Sequence, residues 1–592
     1  MFDRHGMSRR GFIRFASAGV CLAATSLVAA CAQPPAPAAP SPVPTSPPPP
    51  PTDVPAPTAT PASVSKPTVA PATVTTPVGR AAAVNLPTHL AVTGINPDLA
   101  PSDDGYVDPG FLNYPTNPPK TVADVPGKGG EISVVTWTTN PPPPPMESNA
   151  LWQAVNKELG VTLNINIQPQ ADYPTVKLPT IIAGNDLPDI VYIATNSVIN
   201  QLPVFFKSKM ADLTPFLSGD AIKDYPNLAN IPTVAWRQVV YNNAIYGVPV
   251  PNSLYLWVHW VQQNLLDAEG VARPRNAQEY KSVAQQFTRP DQNLFGLGME
   301  NTIGMGTSNG WLTGIFGAPN LWKLDQASGK LTHTSETDEY RAAVSYARDL
   351  WSTGVIDPNA LQYNLVSARN NFAARKFLFR MDGFTLASAG FWDVGAKLDP
   401  PAYPQVTAPF PATDGGTPTF WATNGTLGFS VLKQAPPERI KEILRVMNWL
   451  AAPHGSQEYL LKTYGLKDVH WTPDDKGNPI LNDRGKQEST IPFHYITRAP
   501  LALYWPNTPQ NTPIMHDVEK AIYPYLTFNP TDPYYSPTNA SKSAGLTQDL
   551  NNKINEIVVG RQPLTALDQA VQDWRGGGGD QIRKEFEDQI AG

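Results

Sequence analysis

Fourteen Trp, 21 Tyr and 21 Phe are spread through a chain of 592 residues, of which only 16% carry charge. Many of these aromatics stand beside Gly, Asn, Thr or Asp instead of in apolar runs. Flat apolar faces next to amides and hydroxyls suit a polar, planar-faced ligand such as a sugar ring, which offers C–H on its faces and hydroxyls at its edge. Trp137, Thr138 and Asn140 follow one predicted strand, Asn196 follows another, Asn252 and Ser253 come after a pair of prolines, and Trp311 follows G-T-S-N-G. All are candidates for such a site. Their ordinary alternatives are core packing for Trp and turn duty for Asn and Ser.

Covalent or hydrolytic chemistry finds less support. A glycosidase needs two carboxylates about 5 to 10 Å apart across a cleft. Asp186, Asp189, Asp382 and Asp393 have the right type, but no motif pairs them, and turn or cap duty explains each. The chain has no Gly-x-Ser-x-Gly elbow, no His-Glu-x-x-His and no phosphate loop, and its eight histidines show no ligand spacing. No catalytic residue, no cofactor and no metal is therefore expected. An exported glycoside hydrolase or polysaccharide lyase is the competing class. A peptide-binding or adhesive lipoprotein is a third, though neither repeats nor peptide-backbone partners are visible.

These side chains need elements to position them. Gly129 and Gly130 precede E-I-S-V-V-T at 131–136, a strand signal. A helix is predicted from about Ser148 with Gly160 as its cap, then a strand at 161–167, a helix near 178–183 and a strand at 190–194. Alternating strands and helices imply a parallel sheet with ligands beyond the strands' carboxyl ends. The alternation resumes later, with helices expected at 265–269, at 278–287 behind Asn276, at 338–352 and at 437–450. Between the two stretches lies Y-G-V-P-V-P-N-S at 246–253, where two prolines fix φ and remove donors. Within it Pro249–Ser253 is read as a hinge, and residues 254–260 as a strand buried on both faces.

The first residues are read as an export signal. Residues 8–14 (S-R-R-G-F-I-R) form a nearly complete twin-arginine motif, followed by an apolar run too short for a membrane span. That run ends in L-V-A-A-C, a lipobox-like sequence, so Cys31 is expected to be lipidated and to become the first mature residue. The other cysteine, Cys21, would leave with the signal. Up to about residue 79 the chain is Pro, Ala, Thr, Ser and Val, an extended tether. Residues 80–127 read as a partly ordered lead-in, and folding is expected to begin near Lys128. The net charge of −6 is dispersed, with no basic stripe, so no nucleic-acid partner is expected.

Six blocks, in order, resemble one family. They are G-N-D-L-P-D-I-V at 184–191, A-I-Y-G-V-P-V at 244–250, L-L-D-A-E-G-V with P-R-N-A-Q-E-Y at 265–280, and N-N-F-A-A-R-K-F-L-F-R-M-D-G-F at 370–384. E-R-I-K-E-I-L-R-V-M-N-W-L with Y-G-L at 438–466 and V-G-R-Q-P-L-T-A-L-D-Q-A-V-Q-D-W-R-G-G-G-G-D at 559–580 complete the set. Together with the lipobox they are similar to the substrate-binding lipoproteins of sugar ABC importers, the LipO-like and alginate-oligosaccharide-binding group related to the maltose-binding protein. The resemblance implies an α/β, two-lobe periplasmic-binding-protein fold of type II, its hinge crossed more than once and its ligand cleft between the lobes. It divides the chain into a signal (1–30), tether and lead-in (31–127), first lobe (128–250), second lobe (251–419), first-lobe return (420–501) and second-lobe C-terminal helices (502–592).

The same resemblance implies a monomer, held to the membrane by its lipid, that captures an oligosaccharide or other polar small molecule and delivers it to ABC permease transmembrane subunits. It adds Asp382, Trp392, Trp421, Asn424, Tyr504 and Trp505 to the candidate site, with Trp392 and Trp421 expected to oppose each other across the hinge. Two departures stand out. Gln262, Gln263 and Asn264 replace the family's usual R-K-D, and residues 474–478 (D-D-K-G-N) lack the alternating ligands and terminal Glu of a calcium loop.

Overall fold

The computed structural model describes residues 84–591, apart from Val198, Asn200, Leu256, residues 301–309, Ala396, Asp399, Pro400 and Ala402, and without the side chains of residues 385–389 and Asp393. The twin-arginine segment, Cys31 and the proline-rich tether lie outside the described residues.

The predicted alternation builds the first sheet. Strand β1 (Glu131–Thr138) runs through helix α1 (Ala150–Leu159) to β2 (Thr162–Pro169), then through α2 (Leu178–Gly184) to β3 (Ile190–Ala194). Helix α1 starts where the Asn149 side chain accepts from the Trp152 N–H, and it stops at Gly160 in the left-handed region, φ 67°. β1 pairs in parallel with β2 on one side and β3 on the other. Beyond β3 lie two more strands, β9 (Thr426–Leu432) and, at the edge, β4 (Gly247–Pro251), both joined in antiparallel register. The central strand of this pair thus comes from chain that has already been through another lobe.

Proline explains where β4 sits. Pro249 and Pro251 pair opposite Phe429 and Thr426, which an edge strand tolerates because its outer side needs no N–H. The expected hinge at 249–253 therefore moves: the prolines finish the sheet, and the crossing begins at Asn252.

The second sheet has the order β8 (Gln405–Thr407), β5 (Trp257–Val261), β7 (Phe377–Gly383), β6 (Phe295–Gly298). β7 is parallel to β6, and β5 is antiparallel to both its neighbours. β5 is covered on both faces as its aromatic composition suggested. Val258 and Trp260 enter one core with Phe391 and Trp392, while His259 lies flat on Trp311 with ring centroids 4.1 Å apart. Helices α3 (Ala277–Gln286) and α4 (Asp338–Ser352) pack on this lobe, α3 behind the predicted Asn276 cap. α5 (Phe384–Gly395) follows β7, and α6 (Pro437–Leu450) belongs to the first-lobe core.

The lead-in is part of the fold. Val84, Ile95, Tyr106, Val107, Phe111 and Tyr114 are buried, and Gly110–Phe111 pairs in parallel with Leu503–Tyr504. Described structure thus reaches back to Val84, ahead of the expected start near Lys128, because scattered aromatics in a periodicity-free segment found apolar partners that only the folded lobes provide. Among the described residues, no helix is long and apolar enough to cross a membrane.

Candidate functional site

Two segments cross between the lobes side by side, 252–255 outbound and 420–425 returning. They are laced together: the Asn252 N–H donates to the Gly425 carbonyl at 2.9 Å, the Thr423 N–H to the Leu254 carbonyl at 3.2 Å, and the Thr423 hydroxyl to the Ser253 carbonyl at 2.8 Å. The Thr426 hydroxyl donates to the Val250 carbonyl at 2.9 Å. A third passage, 497–503, lies against them through Arg498, which donates from Nε to the Pro251 carbonyl at 2.6 Å and from Nη2 to Asn252 Oδ1 at 3.2 Å. Short irregular strands fixed by one another's carbonyls can turn while the sheets on either side stay rigid, which is how hinges work.

The residues named from sequence divide sharply. Asn140 and Asn196 are exposed at the ends of β1 and β3, and Thr138 is buried, its hydroxyl accepting from the Asn140 N–H at 3.1 Å. Trp137 is buried against Tyr173, Tyr192 and Tyr495, and its Nε1 finds no acceptor. Ser253 serves a turn, accepting from the Tyr255 N–H at 3.1 Å, and Asn252 is engaged by Arg498. Asn424 is half-buried; its Oδ1 accepts from the Thr426 N–H at 3.2 Å.

In the second lobe Trp311 lines a narrow space of about 30 Å³ with His259, Arg380 and Glu300. Asp382 is fully buried and bound by two arginines, Arg369 at 2.6 Å and Arg380 at 3.1 Å, which is structural duty. Trp392 is a core residue, 2% exposed, with its Nε1 donating to the Pro404 carbonyl and its ring edge-on to Trp260 and Trp505. Trp421 is half-buried, its Nε1 donating to the Ala318 carbonyl and its ring pressed on Gly310, where an added Cβ would come within 2.3 Å. The expected pair of facing platforms is thus not formed: Trp392 packs inside the second lobe, and the strand carrying Trp421 pairs with Leu526–Thr527. Trp505 is half-buried, and Tyr504 donates to Asn478 Oδ1 at 2.9 Å.

The larger cavity is lined by residues the sequence did not single out. About 300 Å³ is enclosed by His454, Tyr459 and Lys462, by Ile491, Phe493 and His494, and by 497–502. Helix α7 (Gln457–Tyr464) supplies Tyr459 and Lys462, and the Lys462 ammonium lies 5.2 Å from the Tyr459 ring centre. Lys462 donates to the carbonyls of Leu450 and Ala452, and Arg498 to the hinge. Burial, partly offset by Glu458, pulls the Lys462 ammonium down to about 7. The His494 ring is open to solvent but walled by protein, and burial with the Arg498 and Lys462 charges beside it pushes it down to about 3. Burial also lowers Arg498. Scattered single basic residues carry no spacing signal, so sequence reading could not find them.

Two further features bear on chemistry. Asp474 caps its own hairpin, Oδ1 accepting from the N–H groups of Lys476 and Asn478 at 2.9 and 2.8 Å. That is turn geometry. Among the described residues, no group of three or more His, Cys, Asp or Glu is arranged to hold a metal. Beneath the hinge, Asp108 and Glu519 are both buried, and Glu519 Oε2 accepts from the Asp108 N–H at 2.7 Å. Burial raises both carboxyls, and each is raised further or held by the other.

No family model matches the chain. It is 25% identical over 438 residues to the polygalacturonan/rhamnogalacturonan-binding protein YtcQ of Bacillus subtilis, spanning 70% of this chain and 82% of that one. It is 22% identical over 494 residues to the lipoprotein LipO of the same organism, spanning 78% of this chain and 92% of that one. An HMO-binding, ABC-transporter-associated solute-binding protein from Bifidobacterium longum infantis shares the fold, with TM-score 0.57 at 12% identity over 78% of this chain and 98% of that one. The chain is thus similar over most of its length to these lipoprotein and sugar-binding relatives, and its two sheet-centred lobes joined by a laced hinge share the fold of solute-binding proteins.

Proposed function

We propose that the protein captures a carbohydrate outside the cytoplasm by closing its two lobes and hands it to the transmembrane subunits of an ABC importer, while a lipid on Cys31 tethers it to the membrane. The observation that carries this reading is the hinge. Each lobe has its own core, and adjacent crossings whose hydrogen bonds are mutual join them round a third apolar cluster holding Leu254, Tyr255 and Phe420, so rigid-body closure leaves the two lobe cores intact. A ligand touching both lobes then stabilises the closed form by its differential affinity for it. Candidate contacts from the first lobe are Asn140 and Asn196, exposed beyond the carboxyl ends of parallel strands, with Trp137 beside them.

On this reading the ligand is bound and released unchanged. Asp189 is bound to Ser133 and Arg439, and Asp382 to two arginines, so neither is free for acid or base work. The test is a thermal-shift screen against oligosaccharides, since a ligand at 100 times its Kd adds about 2.7 kcal/mol to stability. A hit incubated overnight with excess protein is expected back intact. Shortened or unsaturated products would make the protein a hydrolase or lyase.

A further inference from the structure

We propose that the cavity between α7 and residues 489–502 is an anion subsite that seats the carboxylate of an acidic sugar unit between Lys462 and Arg498. The proposal rests on the carbohydrate reading above and adds the charge class of the ligand.

The lining contains four basic side chains, His454, Lys462, His494 and Arg498, and no Asp or Glu. Neither Lys462 nor Arg498 has a carboxylate within ion-pair distance among the described residues: their bonded partners are the carbonyls of Leu450, Ala452 and Pro251 and the Asn252 amide oxygen. The acids that influence them stand beyond ion-pair distance, and each keeps one oxygen without a hydrogen-bond partner, Glu458 Oε2 and Asp108 Oδ2. Glu458 Oε1 accepts from the N–H groups of Thr121 and Val122 at 2.8 and 2.9 Å, and Asp108 is paired with Glu519. Arg273 is likewise bonded to amide and carbonyl oxygens alone, but it lines no such space, and two other arginines of this protein carry carboxylates. Arg380 has Asp382 and Glu300, and Arg583 has Glu336.

A cation held away from water is costly unless an anion accompanies it. Here two stand beside an open space, with donors left over: the third ammonium hydrogen of Lys462 and the Nη1 end of Arg498. The volume, about 300 Å³, is at the lower end of small-molecule sites and suits one sugar ring. Tyr459 and Phe493 supply aromatic wall, which a sugar face uses and an inorganic anion does not. The groups facing Lys462 are Glu458 and Tyr459 on its own helix, His454 before it, and His494 and Arg498 from the opposite segment. An incoming carboxylate offsets the repulsion among the cations and restores a proton to Lys462 near neutral pH.

The experiment is calorimetric titration of the full-length protein with trigalacturonate, with its methyl ester as the uncharged twin, and with inorganic phosphate. The acid is expected to bind at least about ten-fold more tightly than the ester, as charge-assisted bonds require. Lys462→Met should erase that preference by weakening the acid alone. His494→Glu, which puts a negative charge into the lining, should do the same in a variant whose ligand-free melt shows it folded, and at pH 8 the proton uptake that accompanies binding should vanish in Lys462→Met. Equal affinity for acid and ester, a preference that survives both variants, or binding of phosphate only, as an adventitious ion, would overturn the subsite. A neutral oligosaccharide bound equally by wild type and both variants would overturn it while leaving carbohydrate capture intact. No binding of any oligosaccharide would overturn both.

Discussion

Arg498 and Pro251 are joined across the hinge: the guanidinium Nε donates to the Pro251 carbonyl at 2.6 Å, at the last paired residue of β4 before the chain leaves the first lobe. The same side chain reaches Asn252 Oδ1 at 3.2 Å and forms one wall of the large cavity. A ligand that engages Arg498 therefore acts on the crossing itself, which links binding to closure without any intervening element.

Asn252→Ala removes one acceptor from that guanidinium. A hydrogen bond to a charged group contributes about 1.5 to 3 kcal/mol, but Asn252 is half-buried and water replaces part of it. The expected loss is about 1 kcal/mol, a fall of roughly 1 °C in the ligand-free Tm of a fold this size. An unchanged Tm would mean that the contact contributes nothing to the hinge.

Trp392→Ala should behave as a core deletion. With the side chain 2% exposed and its Nε1 bonded to Pro404, truncation is expected to cost about 3–5 kcal/mol of folding stability. Urea unfolding of the ligand-free variant measures it, and ligand affinity per folded molecule should stay near that of wild type. A stable variant with lost affinity would return Trp392 to the cleft.

Gly428 sits in β9 at φ 151°, beside the register shift that ends the strand at the hinge. A Cβ there would meet the Ile193 carbonyl oxygen at 2.3 Å and the Ala194 Cα at 2.8 Å, both backbone. Gly428→Ala should cost about 2–4 kcal/mol from backbone strain plus the clash. A loss below about 0.5 kcal/mol would show that the sheet edge shifts freely.

The Asp108 and Glu519 carboxyls set a pH dependence. Burial pushes Asp108 up to about 7, and Glu519 is also raised, so the folded protein holds protons that the unfolded chain releases near pH 4. Their contribution is fully present below the ordinary carboxylate range and declines as pH rises through about 7. Arg498, Tyr255 and Tyr523 face the same region. The depressed imidazoles and Lys462 push the whole-protein curve the other way, so the readout is the stability difference between wild type and Asp108→Asn, which should decline as pH rises from about 5 to 8.5. A difference that stays flat or grows over that range would contradict the assignment.

Cys31→Ala should release the protein from membranes into the soluble extracytoplasmic fraction, because no helix among the described residues can span a bilayer. Retention of the variant that only detergent reverses would refute the anchor.

The sequence by itself determined the elements. The alternation of β1 to β3 with α1 and α2, the caps at Gly160 and Asn276, and the limits of Asp338–Ser352 and Pro437–Leu450 were readable, because period, caps and breakers are local properties. The proline pair near 250 marked the exit from the first lobe for the same reason. What each side chain faces was decided by the tertiary structure. Trp392 and Trp421 look alike in sequence, yet one is sealed beneath Trp260 and the other lies on Gly310, a backbone approach from more than a hundred residues away. The cluster of Lys462, His494 and Arg498 left no local trace, since a helix, a short turn and a crossing segment each contribute a single basic side chain. Only the packing of those three pieces round a common space gathers them, and the lack of a carboxylate within ion-pair distance is a property of that arrangement, not of any residue in it.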